Sequence, residues 1–191
     1  VDIEKESMTP IGVLFVCTGN QCRSPMAAGL LQQGLTEKGA TVVVDSAGFL
    51  GGGVPPPRHA VESMAAIGID ISAHRSRSVH PALVCRSELV IGMARQHVLG
   101  LSEMAPGWWE RCFTFRDLLR RAASVGPRRP GDPIAAWADR LHAGRSLADL
   151  ANLPLFDDVS DPVGGSRQDF DATRDVLDRM TSRLAGLLRS A

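Results

Sequence analysis

Five small or polar residues, Thr18-Gly19-Asn20-Gln21-Cys22, separate a thiol at Cys17 from a guanidinium at Arg23, and Ser24-Pro25 follows. Backbone amides of such a loop converge on a tetrahedral oxyanion, and a helix starting behind it adds positive potential. On this reading Thr18 to Ser24 cradle a phosphate and Arg23 grips two of its oxygens as a bidentate fork. Cys17 then lies beneath the phosphorus. The amides, the helix end and Arg23 all favour thiolate over thiol, and a thiolate attacks phosphorus to give a covalent intermediate. Ser24 is placed to donate a hydrogen bond to the sulfur, which makes it a better leaving group in a second step. The loop lacks the lysine of a GxxxxGK[ST] sequence, which disfavours ATP or GTP.

Cleaving a phosphomonoester also needs a proton for the leaving oxygen. The candidate acid is Asp161, in the stretch Asp157-Asp158-Val159-Ser160-Asp161-Pro162-Val163-Gly164-Gly165-Ser166. Pro162 and two glycines put it on a defined turn just before a final helix. Taken alone, a Cys-x5-Arg spacing arises by chance and an acidic stretch reads as a solvated loop. Their position among the surrounding elements gives them weight.

Val13-Leu14-Phe15-Val16 is a short apolar run, as expected of a strand buried on both faces. Ser24-Pro25 is a good helix start, and Met26, Leu30 and Leu31 share one helical face. Further strands are expected at Thr41 to Val44, Glu88 to Met93 and Cys112 to Thr114. A helix through Ala60, Val61, Met64 and Ala65 stops at Gly68, and Val176, Leu177, Met180, Leu184, Leu187 and Leu188 stripe the last helix. Strands alternating with helices predict an α/β fold, a parallel sheet covered on both faces. One domain is expected over residues 1–191, with Val1 to Pro10 a loose tail. Ser124 to Leu155 reads as an elaborated loop with short helices near Ala135 to Leu141 and Leu147 to Leu150. It is too short for a core of its own.

The chain has 21 basic and 21 acidic residues, so it offers no net field for nucleic acid or an anionic membrane, and any taste for anions must be local. Its apolar runs fall short of a membrane span and no basic-then-apolar leader precedes them, so the expected address is cytoplasmic. Cys17, Cys22, Cys85 and Cys112 are too few for a disulfide scaffold, and with the five scattered histidines show no zinc spacing, so no metal is expected. Cys22 reads either as a packing residue or as a resolving thiol for oxidised Cys17. Cys85 and Cys112 read as core.

Val13 to Ala28, with its Cys-Thr-Gly-Asn-Gln-Cys-Arg-Ser-Pro, resembles the signature of the low-molecular-weight protein tyrosine phosphatase family. Asp45-Ser46-Ala47-Gly48 resembles that family's second strand, and Ile71 to Arg77 and Asp161-Pro162 fall in the family's order. The resemblance covers about Ile11 to Leu188. It implies a three-layer sandwich with a four-stranded parallel sheet, Cys17 as nucleophile, Arg23 as phosphate clamp and Asp161 as general acid, then base. It also implies that Asn20 and Ser46 fix the loop shape, while His74 either joins them or is a surface residue. The expected substrate is a phosphorylated protein or small phosphomonoester, with no cofactor.

Several departures bear on substrate. The phosphotyrosine enzymes often carry aromatics just after Asp-Pro, where this chain has Val163-Gly164-Gly165. Asp-Pro-x-Gly-Gly-Ser instead resembles the bacterial protein arginine phosphatases, which carry a threonine in place of Gln21. Phe49 and Leu50 either wall an aromatic substrate or pack in the core, and Trp108, Trp109 and Trp137 either serve substrate choice or pack. An arsenate reductase on the same loop would need relay thiols, and Met93 to His97 supplies none.

Overall fold

The computed structural model describes residues 11–40, 42–152 and 154–188. The expected tail, Val1 to Pro10, and Thr41 lie outside the described residues. Four strands, β1 (Ile11–Cys17), β2 (Val44–Gly48), β3 (Ser87–Gly92) and β4 (Cys112–Thr114), form one parallel sheet in the order β2-β1-β3-β4. Helices α1 (Arg23–Glu37), α2 (Arg58–Ala65), α3 (Pro81–Cys85), α4 (Arg95–Met104), α5 (Phe115–Val125), α6 (Ile134–His142), α7 (Leu147–Ala151) and α8 (Arg167–Leu188) cover it.

The pleat of β1 explains the three layers. Val13, Phe15 and Cys17 point into the larger apolar cluster, with Met26 and Leu30 of α1, Leu118 of α5 and Leu177 of α8. Leu14 and Val16 point the other way, into a cluster with Leu83 of α3 and Val98 and Leu101 of α4. A parallel strand covered on both faces has no polar positions, which is why Val13 to Val16 reads as one apolar run. The α/β sandwich with a four-stranded parallel sheet is the fold expected.

Two expectations need correction. The second strand lies at Val44–Gly48, where the resemblance placed it and past the apolar run Thr41 to Val44 expected from pattern, because backbone pairing and not side-chain polarity makes this edge strand. Its register sets Phe15 against Ser46 and Cys17 against Gly48. The polar side chains that disguised it are occupied: Asp45 ion-pairs with Arg77, and Ser46 accepts from Asn20. The two short helices expected within Ser124 to Leu155 are present as α6 and α7, and α6 joins the main core. Ile134, Trp137, Ala138 and Leu141 of α6 are buried in the larger cluster, and the Trp137 indole donates to Gly126 O at 3.0 Å. Trp137 is therefore packing. Cys112 is buried as expected, whereas Cys85 at the end of α3 is exposed, since Leu83 and Val84 fill the inward positions of that short helix.

Candidate active site

β1 ends at Cys17 and α1 begins at Arg23, so five residues must turn the chain from the C-terminal end of an interior strand into a helix N-terminus. Asn20 makes the turn with φ of 51°, in the left-handed region that asparagine tolerates better than most residues. Its backbone N–H donates to Cys17 Sγ at 3.2 Å. Its side-chain oxygen accepts from the Arg77 N–H at 2.9 Å, which assigns the amide orientation and leaves Nδ2 to donate to Ser24 Oγ and Ser46 Oγ, each at 2.9 Å. Since Ser24 Oγ accepts from Asn20, its own proton is free for Cys17 Sγ at 3.0 Å, a shorter contact than the 3.4 Å to Ala47 O. The sulfur thus sits between two donors.

The loop is held from outside as well. His74 Nε2 lies 2.7 Å from Asn20 O; a carbonyl only accepts, so this nitrogen carries the proton. His74 therefore belongs to the support of the loop. Arg77 joins Asp45 to Ser46 O, the latter at 3.0 Å. Gly48 leaves the loop no room to spare: a Cβ there would stand 2.7 Å from Asn20 N and 2.8 Å from Thr18 O. Arg77 and Gly48 were not singled out from sequence. Arg77 is the end of the quoted Ile71 to Arg77 stretch, and Gly48 the end of Asp-Ser-Ala-Gly, so both lay inside motifs whose physical work only the fold reveals.

Cys17, Thr18, Gly19, Gln21, Cys22, Arg23 and Asp161 line one cleft of about 210 Å³, with Leu50 and Val163 at its mouth. Asn20 and Ser24, expected to bind phosphate directly, are fully buried and do not line it; their side chains brace the loop and the sulfur from behind. Leu50 and Val163 are well exposed. Phe49, by contrast, stacks on His97 with ring centroids 6.0 Å apart and rests on Gly100. Leu50 is therefore the wall and Phe49 the packing residue, an alternative that the sequence left open.

Asp161 reaches the cleft on an anchored segment. Asp157, fully buried, takes both ends of the Arg120 fork at 2.9 and 2.8 Å, and Asp158 Oδ1 accepts from Arg95 N at 2.8 Å. Val159 N donates to Met93 O at 2.8 Å, while Val159 O accepts from Arg23 Nη1 at 3.1 Å. The other arm of Arg23, Nη2, donates to Asp161 Oδ2. Asp161 Oδ1 accepts from Val163 N at 3.2 Å, closing the turn that Pro162 begins. Of the acidic stretch, Asp161 is thus the carboxyl that lines the catalytic cleft, and Asp157 and Asp158 serve to place it.

Cys22 is a thiol of another kind. Burial, then the neighbouring Asp161 and Cys17, push it up to about 12 against the pull of Arg23, so it stays protonated near neutral pH. His97, unremarked in the sequence, sits 2.9 Å from Thr18 Oγ1 through Nε2 and is pushed down to about 4 by burial and by Arg23. The folded ring is neutral, whereas in the unfolded chain it gains a proton near its ordinary 6.5. Protonation therefore favours unfolding: its contribution is fully present above pH 6.5 and declines as pH falls toward 4. About 3 kcal/mol is expected to be lost over that window. Urea unfolding at pH 7, 5 and 4 checks this, because His97→Gln should flatten that part of the profile; equal slopes in both proteins would rule it out.

The chain matches the family described as low molecular weight phosphotyrosine protein phosphatase over residues 12–127, and it belongs to that family. It is 47% identical over 81 residues to the probable low molecular weight protein-tyrosine-phosphatase EpsP of Ralstonia nicotianae, a match covering 42% of this chain and 54% of that protein. The chain thus spans about half the length of that relative. It is 29% identical over 179 residues to the protein-arginine-phosphatase of Bacillus subtilis, covering 93% of this chain and 96% of the relative. The crystal structure of a low molecular weight protein tyrosine phosphatase from T. tengcongensis superposes with a TM-score of 0.70 at 29% identity, over 93% of this chain and 99% of that one.

Proposed function

We infer that this chain hydrolyses phosphotyrosine-type phosphomonoesters of proteins through a phosphocysteine intermediate on Cys17. The observation that carries this reading is the sulfur of Cys17, held between the Asn20 N–H and Ser24 Oγ at the base of a cleft that also contains Arg23 and Asp161. A bound phosphate places its phosphorus over the sulfur and takes the outward arm of Arg23. The sulfur attacks, the P–O bond to the leaving group breaks, and Asp161 supplies the proton. Water then attacks phosphorus, Asp161 takes its proton, and the S–P bond breaks to regenerate thiolate. Loop amides and Arg23 stabilise the charge of both transition states. The thiol requirement suits a reducing compartment.

The mouth favours keeping a second substrate in view. Leu50 and Val163 give it two aliphatic walls and Gln21 a polar one, with no aromatic residue among the described residues that line it. Such a mouth also admits a flat guanidinium, so phosphoarginine is the alternative substrate, in keeping with the full-length likeness to an arginine phosphatase. Arsenate reduction is disfavoured: of the other thiols Cys22 alone lines the cleft, while Cys112 is buried in the smaller cluster.

Assay of the purified chain against a phosphotyrosine peptide, the matching phosphoarginine peptide and an aryl phosphate tests this. Aryl phosphate and phosphotyrosine are expected to be hydrolysed, with rapid quench capturing one phosphate per Cys17. A phosphoarginine preference of tenfold or more would move the assignment to the alternative, and no hydrolysis of any of the three would end the phosphatase reading.

A further inference from the structure

The surface beyond Asp161 is continuous with a basic groove that the catalytic reading does not use. A cleft of about 360 Å³ shares Asp161 and Val163 with the catalytic cleft and ends at Arg116. From Arg116 a second cleft, about 620 Å³, runs between α5 and α8. It presents Arg116 and Arg120 from α5 and Arg179 and Arg183 from α8, together with Phe156. Spacings of four residues put each pair on one helical face.

The charge of this groove is poorly compensated. Among the described residues Asp157 is the one carboxylate lining it, and it is fully buried and engaged by Arg120. Arg120 also pairs with Asp117, and Arg183 donates to Leu119 O at 3.2 Å. Arg116 and Arg179 have no carboxylate partner among the described residues. Elsewhere arginines such as Arg58, Arg77, Arg121, Arg140, Arg167 and Arg174 each hold an acid. In a chain whose formal charges balance, this is a local cationic excess.

Phe156 adds an exposed apolar surface to the groove. It is 71% exposed, beside Leu155 at 74%, on a turn that the Asp157–Arg120 pair pins in place. An exposed aromatic on a fixed turn loses little conformational freedom when it is covered. Solvated helix faces carry arginines often enough, but a concave face with uncompensated guanidinium groups and an exposed aromatic on a pinned turn is complementary to an acidic chain bearing an apolar side chain.

We propose that this groove docks an acidic segment of the phosphoprotein substrate, its carboxylates on Arg116 and Arg179 and an apolar side chain against Phe156. Its part in substrate choice rests on the phosphatase reading above; its binding does not. The first test uses an unphosphorylated, fluorescein-labelled peptide of glutamates around a single phenylalanine, titrated with the full chain. The peptide is expected to lose at least tenfold in affinity to Arg116→Glu combined with Arg179→Glu, and when its glutamates become glutamines. Raising salt from about 0.05 to about 0.5 M should weaken it similarly.

In the second test, the double variant should lower kcat/KM for a phosphotyrosine peptide with the same acidic flank about tenfold and leave an aryl phosphate unchanged. Equal binding of the glutamine peptide, or tighter binding of a single-stranded oligonucleotide of the same charge, would overturn the proposal. So would an equal loss on both phosphate substrates. A chain inert toward aryl phosphate that still binds the peptide through these arginines keeps the groove and removes the phosphatase reading. Normal aryl phosphate hydrolysis without arginine-dependent binding does the reverse.

Discussion

Cys17→Ser is expected to lower steady-state turnover by about 10⁴-fold or more on every phosphate ester, whatever its leaving group. The substitution changes one atom among fixed surroundings. Asn20 N and Ser24 Oγ still converge on the position, but they now meet a hydroxyl that keeps its proton at neutral pH. Asp161 is already the partner of Arg23 and of Val163 N and is not placed as a base for that proton. Cys22 cannot substitute, since it lies to one side of the loop and burial holds it protonated. Phosphate binding should survive within a few-fold, because the loop amides and Arg23 remain. Rapid-quench phosphoenzyme trapping and phosphate binding by calorimetry, run on both proteins, separate these effects. Retention of a hundredth of the wild-type rate would mean that another group attacks phosphorus.

The parts of this site that were legible from sequence are those whose chemistry is carried by residue type at a local spacing. Cys17 and Arg23 qualify because one turn of chain joins them, and Val13 to Val16 because a strand covered on both faces must be apolar. Asp161 was a candidate from its turn before the last helix, but its pairing with Arg23 was not legible, since 138 positions separate the two. What stayed hidden are residues whose role exists only across the fold. Arg77 donates to Asn20 through its backbone, an interaction that side-chain type does not encode. His97 meets Thr18 only because β1 and β3 are neighbours. The apolar pattern alone misplaced the second strand because Asp45 and Ser46 serve the phosphate loop at the expense of the alternation that marks a strand. The short helix that became α6 was legible, but not that Ile134, Trp137, Ala138 and Leu141 would pack into the main core, because their partners come from distant parts of the chain.

Asp161→Ala is expected to separate chemistry from binding. In the structure Arg23 spends one arm on Val159 O and the other on Asp161 Oδ2, so an arriving phosphate competes with Asp161 for the outward arm. The competition has a use: the phosphate that displaces the carboxyl frees it to face the leaving oxygen, where it is needed as an acid. Removing the carboxyl therefore has two consequences of opposite sense. Phosphotyrosine, whose leaving group needs a proton, should lose about 10² to 10⁴ in kcat, while an aryl phosphate with a strongly acidic phenol loses far less. Inorganic phosphate and unreacted ester should bind more tightly, because Arg23 is no longer engaged and a negative charge has left the cleft. Steady-state kinetics with a series of aryl phosphates read the first effect as a steeper dependence of kcat on leaving-group pKa. Competitive inhibition by phosphate reads the second. A uniform loss across the series would remove Asp161 from the role of acid, and weaker phosphate inhibition would show that its carboxyl orients Arg23 instead of competing for it.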